Sequence, residues 1–265
     1  MKPKANTIYK GDCIEIMRTW GDDCIDHCIV DPPYNMSKKK GLGWSFSSHV
    51  TMNEKWDIFS RKGYLQFTKS WLSEVCRVVK PNGNIFVFGS FHNIYDLGYL
   101  INEMDLKILN SIVWFKPNAQ PNITCRMFTE STEHAIWACN APKKKATGWV
   151  FNYDVAKKLN GGKQMRNMWS IPYPSAKERR FGKHPSQKAI NVILRAILLL
   201  TNPGELILDC FAGTGTTGVV AQNFGRKWVM IDNNHEYIKI AKARLRNVKI
   251  PLPRELTSTE KINEM

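Results

Sequence analysis

Two consecutive prolines halt the first strongly apolar run of this chain, and that arrest constrains the fold more than any other feature. Cys28-Ile29-Val30 reads as the end of a buried strand. Proline has no N–H to donate and restricts the residue before it, so the strand stops at Asp31. The tetrapeptide Asp31-Pro32-Pro33-Tyr34 then puts a carboxylate, two fixed backbone carbonyls and an aromatic ring on a stiff loop at a strand end. Neither acid–base chemistry nor metal binding needs that set. It suits gripping a flat ring that bears an amine, with in-plane acceptors for the N–H groups and Tyr34 covering the face. An ordinary Asp-Pro turn with a surface tyrosine is the plainer alternative.

The surrounding pattern gives this loop a frame. Residues 8–12 read as a short strand ending in an acid, 13–20 as a helix and 24–30 as the strand that delivers Asp31. Strand, helix and strand in so short a span is a βαβ unit, the building block of parallel sheets covered by helices. Apolar spacing predicts further helices over 63–79, 96–104, 189–200, 219–224 and 236–246, and strands over 84–89, 108–115, 133–139, 206–210 and 228–231. The expected fold is α/β, Rossmann-like, with a mostly parallel sheet flanked by helices. At 265 residues and 43% hydrophobic content it forms a single domain, 1–265, with an ample core. Residues 35–61, polar and carrying Lys38, Lys39 and Lys40, read as a long flexible loop beside the proposed site. The tail from Asn247 reads as frayed.

Composition narrows the class. No apolar run approaches the roughly 18 residues of a membrane span, and the start, MKPKANTIYKGD, has no secretory apolar segment. Seven cysteines without framework spacing suggest reduced thiols in a cytoplasmic protein. Cys24, His27 and Cys28 flank a buried-looking strand with no second ligand pair, so a metal is not expected there. The formal net charge is +15, and residues 141–188 hold twelve Lys/Arg against two Asp/Glu. A basic segment of this density implies a polyanion partner, most simply nucleic acid. From Asn140 to Lys183 the cations are interleaved with Trp149, Phe151, Tyr153, Trp169, Tyr173 and Phe181. That mixture suits backbone contacts and base stacking, or an aromatic-pinned subdomain on the sheet. Arg126, Lys163, Arg166, Lys177, Arg179, Arg180 and Lys183, with Lys38, Lys39 and Lys40, are the candidate nucleic-acid-binding residues.

A second motif sits at a strand-to-helix turn, Asp209-Cys210-Phe211-Ala212-Gly213-Thr214-Gly215-Thr216-Thr217. Its glycines allow close backbone approach to a ligand, and the helix start presents unpaired N–H groups. Asp232 ends the next strand, where an acid can bind both hydroxyls of a ribose. Gly218 completes the spacing of a dinucleotide site, which favours a dehydrogenase. Against that, Asp209 lies where it could pair with a methionine ammonium, Thr214, Thr216 and Thr217 offer hydroxyls to a carboxylate, and no second feature of hydride transfer accompanies them. S-adenosylmethionine is the better-fitting cofactor.

The two motifs together, in this order, resemble the DNA adenine-N6 methyltransferases of the β group, with their circularly permuted motif order and a basic target-recognition region between, here 118–183. The likeness runs from Ile8 to Leu245 and includes Tyr9-Lys10-Gly11-Asp12 and His184-Pro185-Ser186-Gln187-Lys188. Gly89-Ser90-Phe91-His92-Asn93-Ile94-Tyr95 and Pro121-Asn122-Ile123-Thr124-Cys125-Arg126 narrow it to the second, DpnA-type methylases of Dpn-like restriction systems. The resemblance implies methyl transfer from S-adenosylmethionine to N6 of a flipped-out adenine, at GATC, in single-stranded as well as duplex DNA. It brings a homodimer and a cognate restriction endonuclease into view as partners, in a prokaryotic or phage-encoded setting. Asp31, Pro32, Pro33 and Tyr34 would be catalytic. Asp12 and Cys13 would meet the cofactor's adenine end, and Ser186 and Lys188 its methionine end. Asp209, Phe211, Ala212, Gly213, Gly215, Thr216, Thr217 and Asp232 would form the rest of the pocket. Asp12 as a helix cap and Phe211 as core remain open, as do N4-cytosine or RNA methylation and a non-catalytic DNA-binding module.

Overall fold

The computed structural model describes residues 1–36, 57–122, 125–182 and 184–257. Lys38, Lys39, Lys40 and Lys183, and most of the 35–61 loop, lie outside the described residues. The centre is an eight-stranded sheet in the order β1-β8-β7-β2-β3-β5-β4-β6. In chain order the strands are β1 (Thr7–Lys10), β2 (His27–Val30), β3 (Asn84–Gly89), β4 (Leu106–Phe115), β5 (Thr132–Pro142), β6 (Met168–Ser170), β7 (Leu206–Asp209) and β8 (Lys227–Asp232). β1, β8, β7, β2 and β3 pair in parallel, whereas β5 runs antiparallel to both β3 and β4. Only β5 therefore points against the other described strands. Its start, the ends of β2, β3, β4, β7 and β8, and everything attached to them share one edge of the sheet.

The central strands are apolar throughout because both faces are covered. Every residue of β2 and β3 is buried. Ile29, Phe86 and Ile207 point into one layer with α5 (Ile190–Leu200) and α6 (Thr216–Asn223). Cys28, Val30, Ile85, Val87 and Leu208 point into the other with α1 (Cys13–Arg18), α2 (Arg61–Val78) and α3 (Ile94–Glu103). α5 is apolar nearly all round and buries eight of its residues, as a helix inside a layer must. The 118–183 segment is not set apart from the sheet: it supplies β5, α4 (Tyr153–Leu159) and the edge strand β6. The chain closes with α7 (His235–Asn247) and the short α8 (Arg254–Thr257).

Two local features hold the frame. His27 accepts from the Asn84 N–H through Nδ1, so its Nε2–H donates to Glu205 at 2.8 Å. This ring is a strut between strands, which accounts for its place beside Cys24 and Cys28. A Cβ on Gly83, in the turn before β3, would lie 2.3 Å from the Asp26 carbonyl and 2.9 Å from that of Lys80. Those are backbone atoms that cannot swing aside. Gly83→Ala is expected to destabilise the fold by about 1–3 kcal/mol, the usual cost of overpacking, read as a lowered urea midpoint. Among the described residues no helix is long and apolar enough to cross a membrane.

Candidate active site

A cavity of 460 Å³ opens at the shared sheet edge, and both sequence motifs line it. β2 and β7 are neighbours in the sheet although some 180 residues separate them in the chain, so Asp31 and Asp209 emerge side by side. Asp31, Pro32, Pro33 and Tyr34 form one wall, with Asp12, Cys13, Ser186, Lys188, Asp209, Phe211, Ala212, Gly213, Thr216, Thr217 and Asp232 around it.

One end suits a nucleoside with an amino-acid tail. Asp232 leaves β8 and accepts from the Gly213 N–H at 2.7 Å and the Asn234 N–H at 2.8 Å. Each oxygen keeps a lone pair for a further donor such as a ribose hydroxyl. Asp209 is buried and accepts from the Phe211 N–H at 3.1 Å. Burial pushes its carboxyl up to about 7, only partly offset by the bonds from Thr217 and Phe211. A buried carboxylate so short of positive partners is complemented by a ligand ammonium. Gly213 has φ +51°, and a Cβ there would meet the His184 ring at 3.2 Å. The donor set thus fits S-adenosylmethionine.

Several expected residues play structural parts. Asp12 caps α1, its Oδ1 accepting from the N–H groups of Ile14 and Glu15. Phe211 packs edge-on against Trp71 and Phe67 while lining the cavity, so it is core and wall together. Gly215 does not line the cavity: it starts α6 at φ +72°, and a Cβ would strike that of Ala241 in α7 at 2.8 Å. Close helix packing by itself demands that glycine. The hydroxyls of Thr214 and Thr216 both accept from buried Arg244, and Thr214 also donates to Gln187. They brace the turn internally, where a ligand carboxylate was expected.

The catalytic end holds partners that no local motif announces. Lys188, expected at the methionine end, places Nζ 2.6 Å from Asp31 Oδ2 and 3.1 Å from Glu133 Oε2. The Tyr34 hydroxyl donates to Asp31 Oδ1 at 2.6 Å. Glu133, at the start of β5, also takes Lys116 at 3.1 Å from the end of β4. Two half-buried carboxylates and two buried ammoniums form a neutral cluster. Burial opposes every charge in it. Its desolvation, helped by the nearby Glu133 charge, raises Asp31 above the usual carboxylate range despite Lys188. Burial also acts to raise Glu133, but Lys188 and Lys116 together outweigh it and hold that carboxyl low. Lys188 stays charged, since its two carboxylates more than offset its burial. The two acids are thus pushed in opposite directions, Asp31 up and Glu133 down. The motif loop is fixed from beneath: Tyr64 of α2 donates to the Pro33 carbonyl at 2.9 Å and is itself held by Asn93. Asp57, buried, accepts from the N–H groups of Asn35 and Met36.

Arg126, Lys163, Arg166, Lys177, Arg179 and Arg180 are all exposed. Arg166 borders a small separate hollow with Trp137, Phe151 and Trp169, and the Arg180 guanidinium lies over the Phe181 ring.

Comparison with known proteins agrees with this geometry. The DNA methylase family model for N6 and N4 enzymes matches residues 25–243. The type II methyltransferase M2.MboI of Moraxella bovis is 38% identical over 254 residues, 95% of this chain and 92% of that one. M2.DpnII of Streptococcus pneumoniae is 40% identical over 240 residues, 90% and 88% of the two chains. The crystal structure of an M1.HpyAVI–SAM complex matches with a TM-score of 0.68 at 29% identity, covering 91% of this chain and 99% of the other. The cytosine-N4-specific PvuII methyltransferase, at 19% identity and a TM-score of 0.72, shares the fold. The chain belongs to the N6/N4 DNA methylase family and is an S-adenosylmethionine-dependent DNA methyltransferase.

Proposed function

We propose that the enzyme methylates N6 of a flipped-out adenine at GATC, as the modification arm of a restriction–modification system. Asp31 carries the reading: it is a half-buried carboxylate of raised basicity, on a rigid loop, in the cavity that fits the cofactor. S-adenosylmethionine supplies the electrophilic methyl group. The adenine amine is conjugated with its ring and is a poor nucleophile. Asp31 accepts one of its N–H groups and the Pro32 carbonyl the other, which localises the lone pair toward the methyl. The amine must shed a proton once methylated, and the raised basicity of Asp31 suits it to accept that proton. Tyr34 stacks on the base with the ring face opposite Lys188, whose Nζ lies 5.1 Å from the ring centroid. Stacking returns about 1–3 kcal/mol against a flipping cost of roughly a few kcal/mol. Exposed Arg126, Lys163, Lys177, Arg179 and Arg180 are available to phosphates. GATC rests on the DpnA-type motifs, and a second copy of the chain and a cognate endonuclease complete the proposed system, in the cytoplasm.

The test is methyl transfer from labelled cofactor into single strands and into duplexes with and without GATC, with product nucleosides identified by mass spectrometry. N6-methyladenine confined to GATC is expected. N4-methylcytosine overturns the base assignment, and N6-methyladenine elsewhere overturns the site. For the cofactor end, Asp232→Ala is expected to weaken binding by about ten- to a hundredfold, the loss of charge-assisted hydrogen bonds, measured by calorimetry.

A further inference from the structure

Both oxygens of Asp31 are occupied: Oδ2 by the Lys188 ammonium and Oδ1 by the Tyr34 hydroxyl. A target amine must share the carboxylate with these two donors, and it finds the full acceptor strength only as they move off. A buried donor leaves readily only if another acceptor waits for it, because an unpaired buried charge or N–H group is costly. The structure supplies one. Glu133 Oε2 lies 3.1 Å from Lys188 Nζ and 3.4 Å from the Tyr34 hydroxyl, so one oxygen is the second acceptor of both. The other oxygen, Oε1, is pinned by Lys116 at 3.1 Å, which keeps Oε2 aimed at the pair.

We propose that Glu133 is a positioning residue of the transfer step: its Oε2 receives Lys188 and Tyr34 as the target amine displaces them from Asp31. The inference rests on the role given above to Asp31. The exchange leaves the net charge of the cluster unchanged, since one ammonium moves between two carboxylates, and Asp31 keeps its full charge for the amine. Glu133 is suited to this by its topology. β5 runs antiparallel to its neighbours, so its first residues arrive at the edge where the parallel strands end, with Glu133 opposite Trp114 of β4. Lys116, 3.1 Å from Glu133 Oε1, helps to keep that carboxyl ionised, so the ammonium has a charged group to move to.

The test compares Glu133→Gln, Glu133→Asp and Asp31→Asn by single-turnover transfer, cofactor calorimetry and pH profile. Glu133→Gln keeps the shape and loses the charge, leaving Lys188 closed on Asp31. Its transfer rate is expected to fall about a hundredfold, the loss that follows a misplacement of reacting groups by about 1 Å, with unchanged cofactor affinity. Glu133→Asp keeps the charge at a shorter reach and is expected to fall between the wild type and Glu133→Gln. A merely structural role reverses that order, because glutamine is the better isostere, and such a result overturns the proposal. The acid limb of the rate is a second readout. The charged groups facing Asp31 are Lys188, Glu133 and Asp209, with Tyr34 bonded to it, Lys116 behind Glu133 and His184 near Lys188. Removing the Glu133 charge lowers the basicity of Asp31, so the acid limb moves to lower pH; an unmoved limb overturns the proposal. If Glu133→Gln does not fold, Glu133→Asp decides alone: slowed transfer with normal cofactor affinity supports the exchange, and wild-type transfer overturns it. An active Asp31→Asn enzyme sinks the role of Asp31, and this inference with it. An inactive Asp31→Asn with a wild-type Glu133→Gln sinks the inference only.

Discussion

Asp31→Ala is expected to slow methyl transfer by about 10²–10³-fold or more, the loss that follows removal of one acceptor aimed at charge developing in the transition state. Cofactor affinity should be unchanged. The separation follows from the geometry. Asp31 bonds to Lys188 and Tyr34, whereas the cofactor end is built on Asp232, Gly213 and Asp209. The fold should survive, because Lys188 retains Glu133 when Asp31 is gone. Asp31→Asn should be as slow: it restores the shape and one acceptor oxygen, but it lacks the charge to take a proton. Single-turnover transfer with calorimetry on the same samples decides the matter. A rate near wild type, or a loss explained by weaker cofactor binding, would remove Asp31 from the centre of the mechanism. The pH dependence has a definite sign. The ionised carboxylate is the working form, so the rate falls as pH falls through the Asp31 value, which lies above the ordinary aspartate range because of burial.

What could be read from the sequence was whatever the chain writes locally. The arrest of β2 at Pro32, the glycine turn after Asp209 and the acid closing β8 are each contained in a few residues, and each falls at the shared sheet edge. The alternation of strands and helices follows from apolar spacing, with boundaries within about two residues for most elements. What escaped depends on long-range pairing. Lys188 lies 157 residues from Asp31, and Glu133 lies 17 from Lys116 across two antiparallel strands. Nothing in EHAIWAC distinguishes a charged strand start exposed to water from one buried against two ammoniums. The structural parts of Gly215 and Thr216 escaped for a related reason: their partners, Ala241 and Arg244, belong to α7, whose packing no short motif encodes. β6 escaped because three residues, MWS, carry no period and are ordered only by β4 beside them.

Lys188 carries the second large effect. Lys188→Met should destabilise the protein by about 3–5 kcal/mol at neutral pH, the cost of breaking a buried ion pair from one side. Methionine replaces the volume but leaves Asp31 and Glu133 facing each other, with Lys116 able to neutralise only Glu133. Protonation of Asp31 is the available relief, and it sets the pH dependence. Loss of the Lys188 charge, which lowers Asp31 in the native protein, raises its folded-state value further above that of the unfolded chain. A carboxyl raised in this way binds more protons folded than unfolded, so stability rises as pH falls from the folded value toward the unfolded one. The deficit of Lys188→Met should therefore be largest above the raised Asp31 value and shrink on acidification, as measured by urea midpoints against wild type at each pH. Adding Asp31→Asn removes the orphaned charge and should recover most of the loss, a coupling that contacting residues show and distant ones do not. A deficit that is the same at every pH and additive with Asp31→Asn would mean that Lys188 acts by packing alone. A deficit that vanishes with the Asp31 charge would mean that the ammonium is there to let a buried carboxylate stay ionised where the amine must find it.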